Sequence, residues 1–122
     1  MLQVHIKKLG SVAVLCLDGK IVRGQTDVLR RAVLAQGNAS VIVLDLARVN
    51  TVDAGGLGVM LELREHSEST GIELRLRNVT ELVKRILEIT RLDSVFKLSG
   101  NERPDIALHQ RPYMFSQIAS CA

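Results

Sequence analysis

The chain has 122 residues, of which 47% are hydrophobic, enough for one domain with a packed core and too few for a second. Aromatic residues make up only 2% and Trp is absent, so neither an aromatic cage nor a base-stacking platform can be assembled, and nucleic acid is not an expected ligand. The net charge of +3 comes from 16 basic and 13 acidic residues spread along the chain; no basic run exceeds Lys7-Lys8 or Arg30-Arg31, which describes a solvated surface and not a DNA-binding face. Apolar runs fall far short of the roughly 18 residues a membrane-spanning helix needs, and residues 1–10 carry no secretory hydrophobic region, so a cytoplasmic location without membrane insertion is expected. Cys16 and Cys121 match neither a disulfide scaffold nor a metal-ligand spacing and are expected to be two ordinary thiols.

Leu2, Val4 and Ile6 alternate with Gln3, His5 and Lys7, the period of a strand with one wet face at or near a sheet edge. After Gly10-Ser11 comes the strand-like run from Val12 to Leu17, and the short gap predicts an antiparallel hairpin. Asp18-Gly19-Lys20 reads as the turn that ends it. From Thr26 or Asp27 the period becomes helical, with Val28, Leu29, Ala32 and Val33 on one stripe and Gly37 as the stop. Val41 to Leu46 is apolar at nearly every position and β-branched at three, the pattern of a central strand covered on both faces.

A turn at residues 50–53 leads into a half-buried helix beginning at Ala54 or Gly55, carrying Leu57, Met60, Leu61 and Leu63, and ending near Gly71. Ile72, Leu74 and Leu76 alternate with Glu73, Arg75 and Arg77 as a half-exposed strand. Asn78 or Thr80 can cap the next helix, whose stripe is Leu82, Val83, Ile86 and Leu87, and a short strand at residues 95–98 follows. The fold class is α/β: an open sandwich on a mixed sheet of about five strands, the first antiparallel and the later ones parallel, with three to four helices. Residues 1–100 form the domain and residues 101–122 a closing helix and tail. In that tail Tyr113, Met114, Phe115 and Ile118 could dock on the sheet or on a second copy as a homodimer.

His5, His66 and His109 fall in separate elements with no Cys or Asp at ligand spacing, so no catalytic set, metal site or cofactor is expected and the chain is read as a non-enzyme. Gly55-Gly56-Leu57-Gly58 lacks the spacing and the Lys of a phosphate-binding loop. As local chemistry, Asp53-Ala54-Gly55-Gly56 is a good strand-to-helix turn: Asp53 can cap the helix, and two glycines leave room for a partner backbone or an anion at its positive end.

The run Val41-Ile42-Val43-Leu44-Asp45-Leu46, then Val49, then Val52-Asp53-Ala54-Gly55-Gly56-Leu57-Gly58, resembles the central signature of STAS domains. The spacing stays in step through Gly71-Ile72-Glu73-Leu74 and Val83-Lys84-Arg85-Ile86-Leu87, so the resemblance covers residues 2–98. It implies a binding module similar to the anti-sigma factor antagonists, which hold a serine kinase-type anti-sigma factor of the GHKL class and so free a sigma factor for transcription. In that family the residue after the aspartate is commonly a serine that the kinase phosphorylates to break the complex. Here that position is Ala54, which has no hydroxyl, and Thr51, three residues earlier, is a poor substitute. The resemblance implies a partner surface of Asp18, Lys20, Thr51, Asp53, Ala54, Gly55, Gly56 and Leu57. The alternative it implies is a STAS subunit of an ABC-type lipid transport system, supporting the transporter ATPase.

Overall fold

The computed structural model describes residues 1–99 and residue 121. Its elements run β1 (Gln3–Leu9), β2 (Val12–Ile21), α1 (Asp27–Leu34), β3 (Val41–Val52), α2 (Ala54–Ser69), β4 (Glu73–Arg77), α3 (Glu81–Ile89) and β5 (Lys97–Ser99). The five strands form one sheet in sequence order, β1 antiparallel to β2 and every later pair parallel. This is the expected α/β open sandwich. The expected closing helix and the docking of residues 113–118 lie outside the described residues.

Each helical crossover moves one strand further in the same direction. Since such crossovers are right-handed, all three helices fall on one face. The packing agrees: Ala13, Leu15, Leu17, Ile42, Leu44, Leu46, Leu74 and Leu76 meet Leu29, Val33, Leu57, Met60, Leu63, Val83 and Leu87 in one core. The intervening strand positions, Val14, Cys16 and Val43, make a second, smaller cluster on the opposite face, joined by Val12, Val41 and Cys121. β3 is therefore buried on both faces as its composition predicts, but helices account for only one of them.

Helix ends follow local chemistry. Thr80 rather than Asn78 caps α3, its hydroxyl accepting from the Val83 N–H at 3.3 Å. At the end of α2, Gly71 has φ +83°, its N–H donates to the Glu68 carbonyl, and the Ile72 N–H donates to the Ser67 carbonyl. Those paired bonds satisfy two free carbonyls and require a backbone conformation that glycine adopts at no steric cost.

Four expectations need correction. Asp18-Gly19-Lys20 is not a terminating turn: β2 continues to Ile21, with register shifts between Cys16 and Asp18 and between Gly19 and Lys20. Residues 50–52 likewise belong to β3, because pairing of Lys20 with Thr51 and Ile21 with Val52 extends the ladder past the point where local turn chemistry would end it. Arg77, read as a wet-face residue, is only 1% exposed, and Asp45 only 2%. Their register pairing places them side by side, where they form a buried ion pair at 2.6 Å. Finally, Cys16 and Cys121 are not two free thiols but a disulfide. Cys16 points to the helix-free face, where residue 121 reaches it across a sequence separation of 105, and no local spacing carries that information.

Candidate functional site

The carboxyl-terminal ends of β2 and β3 and the start of α2 share one edge of the sheet. Parallel α/β sheets leave this kind of edge open, because chains leave the strands there and helix N-termini point back towards it. Lys20 and Thr51 are register partners on that edge, and one step further Ile21 pairs with Val52. The Asp53 N–H then donates to the Ile21 carbonyl at 3.3 Å, so the last strand bond leads directly into the first residue of the turn.

Asp53 organises the turn. It is extended at φ −103° and ψ −177°, and its Oδ1 accepts from the Gly56 N–H at 2.8 Å, the N-cap bond read from the sequence. Both carboxylate oxygens also accept from the backbone N–H of Arg23 at 3.1 Å, clamping the β2–α1 loop to the start of α2. These bonds favour the charged form. The Gly56 N–H does most to lower the Asp53 pKa, the Arg23 N–H follows, and partial desolvation opposes them.

The two glycines serve this same clamp. A Cβ on Gly56 would stand 1.8 Å from the Ile21 carbonyl oxygen, and one on Gly55 would stand 2.8 Å from the Arg23 Cβ. The space a Cβ would take at Gly55 and Gly56 is thus filled by the end of β2 and by Arg23 in the β2–α1 loop, so this packing requires both glycines. Leu57 lies buried in the core, so its side chain does not reach the surface. What the edge presents outward is exposed Lys20, half-buried Thr51, exposed Asp53 and exposed Ala54. Asp18 lies further back on β2, beside Arg48 by register and 3.9 Å from its guanidinium.

Arg23 and Arg48 were not singled out in the sequence. Arg48 could have been found only with the β2–β3 register in hand, and Arg23 acts through its backbone N–H, a group every residue but proline has. Among the described residues no helix is long and apolar enough to cross a membrane.

The sequence pattern of the STAS domain matches residues 3–103. The chain belongs to the STAS domain family. A STAS-domain containing protein of Pseudomonas aeruginosa (strain UCBPP-PA14) is 33% identical over 57 residues, 47% of this chain and 56% of that protein, so the match spans about half of the relative's length. The crystal structure of an anti-sigma factor antagonist from Mycobacterium paratuberculosis has a TM-score of 0.69 at 23% identity, covering 90% of this chain and 93% of that one. A sulfate transporter family protein from Wolinella succinogenes gives 0.65 at 22% identity, covering 72% and 75%. At those identities the likeness is one of fold. This STAS domain shares its architecture with proteins of both kinds, and its Asp53-capped turn is the feature on which a functional reading turns.

Proposed function

We propose that this STAS domain is an anti-sigma factor antagonist-like regulatory protein of the cytoplasm, which binds a serine kinase-type anti-sigma factor and thereby releases a sigma factor. Its work is binding and not catalysis. A partner held here is withdrawn from the sigma factor by mass action. The observation that carries the reading is the exposed Ala54 at the first position of α2, immediately after the Asp53 cap and on the same edge as Lys20 and Thr51. A methyl group at that point cannot accept a phosphoryl group. The complex is therefore insensitive to the kinase's usual off-signal.

The test is affinity purification of the tagged protein from its own cells beside an Ala54→Arg variant, with partners identified by mass spectrometry. Ala54 faces solvent, so the arginine leaves the fold intact, which a melting curve verifies. The reading expects a GHKL-type kinase with the native chain and roughly tenfold or greater weakening in the variant, as for a central interface position. Recovery of a transporter ATPase instead would replace it with the transport-subunit reading.

A further inference from the structure

On the helix-free face, one row of side chains crosses the three central strands: Cys16 of β2, Asp45 of β3 and Arg77 of β4, adjacent by register. Asp45 and Arg77 are satisfied within the sheet. Oδ2 of Asp45 accepts from Arg77 Nε at 2.9 Å, from Arg77 Nη2 at 2.6 Å and from Asn78 Nδ2 at 3.0 Å, while Oδ1 accepts from the Ala47 N–H at 3.0 Å. Cys16, 4% exposed, is bonded to half-buried Cys121, and Arg77 Nη2 lies 3.9 Å from the Cys121 sulfur.

We propose that the Cys16–Cys121 disulfide is a redox-controlled tether that holds residue 121 against the Asp45–Arg77 ion pair and is opened by a dithiol reductant while the domain stays folded. Three observations carry it. The main core on the helix face contains neither cysteine, so its packing does not include the bond. Cys121 is half-buried where Cys16 is buried, so the Cys121 end of the bond is the more open to attack in the native state. The Arg77 guanidinium lies 3.9 Å from the Cys121 sulfur, a donor placed to meet the sulfur that exchange releases. In a reducing compartment, moreover, a protein disulfide is ordinarily transient and serves sensing or catalysis.

The chemistry balances with the reductant named. A thiolate of the dithiol attacks Cys121 Sγ, the Cys16–Cys121 bond breaks, and Cys16 leaves as a thiolate and takes up a proton. The second thiol of the reductant then loses its proton and attacks its own sulfur in the mixed disulfide. Cys121 is expelled as a thiolate beside Arg77, and the dithiol ends as a cyclic disulfide. Two electrons have passed to the protein.

The test equilibrates the full chain in native buffer with mixtures of reduced and oxidised dithiothreitol. Samples are acid-quenched and alkylated in denaturant, and the thiols counted by mass. The expected result is reversible gain of two alkyl groups, with the far-ultraviolet circular dichroism retained and the melting temperature of the reduced form lower by roughly 10 °C or more. A Cys121→Ser variant should show the lower melting temperature from the start and ignore the reductant. The proposal is overturned if the bond never forms in the oxidised mixture, if it opens only in denaturant, if reduction unfolds the chain, or if the variant responds to reductant like the native protein.

Discussion

Asp45 and Asp53 stand on the same strand and at its end, each accepting several hydrogen bonds, yet they hold the molecule in opposite ways. Asp45 is buried and answered by a guanidinium, a side-chain amide and one backbone N–H. Asp53 is exposed and answered chiefly by backbone N–H groups, first among them those of Gly56 and Arg23. A carboxylate taken out of water needs an opposite charge, and once matched it leaves nothing over for a partner. A carboxylate at a helix start needs only amides and can stay at the surface, which is why the β2–β3 edge presents its neighbours outward.

The sharpest way to break this contrast is to remove one side of the buried pair. Arg77→Met should leave the Asp45 carboxylate without its counter-charge and cost about 3–5 kcal/mol, read as a fall in the denaturation midpoint. Adding Asp45→Leu to that variant should recover much of the loss, because two apolar groups of similar volume remove the unpaired charge together. If the double variant is no better than the single one, the pair is not acting as a unit.

Next in size comes the clamp itself. Gly56→Ala drives a Cβ into the Ile21 carbonyl, a backbone group that cannot rotate away, and should cost about 3 kcal/mol. Two residues along the same helix, Gly58 has open space around it, and Gly58→Ala should stabilise by about 0.5–1 kcal/mol through helix propensity alone. Opposite signs at two glycines of one helix would show that contact with the end of β2, and not helix propensity, governs Gly56. Equal changes at both would remove the clamp as the explanation.

What was legible in the sequence was local. The both-face burial of Val41 to Leu46, the Asp53 cap and the Gly71 stop each follow from a few adjacent residues and stand in the structure as read, and of the two caps offered for α3, Asn78 and Thr80, the structure uses Thr80. What was not legible depends on register. Asp18-Gly19-Lys20 has the composition of a turn, but a parallel neighbour offers its backbone better partners and the strand runs on. Arg77 has the alternation of a wet-face residue until Asp45 is set beside it. The close packing of Gly55 and Gly56 against Arg23 and the Ile21 carbonyl likewise depends on neighbours remote in sequence.

The smallest effect concerns Asp53, and it carries a pH signature. Its folded-state pKa lies below the ordinary aspartate value, chiefly because the Gly56 N–H and then the Arg23 N–H bond the charged form. The stabilisation is therefore fully present above the unfolded aspartate pKa and is lost as pH falls through the lower, folded one. Asp53→Ala should lower the melting temperature at neutral pH, and the gap between variant and native chain should close on acidification below the usual carboxylate range. Amide exchange at Gly56 and Arg23 should quicken in the variant, since both donors lose their acceptor together. A gap that persists unchanged into acid would mean that Asp53 acts through packing and not through its charge, and the surface carboxylate would then have to be grouped with the buried one.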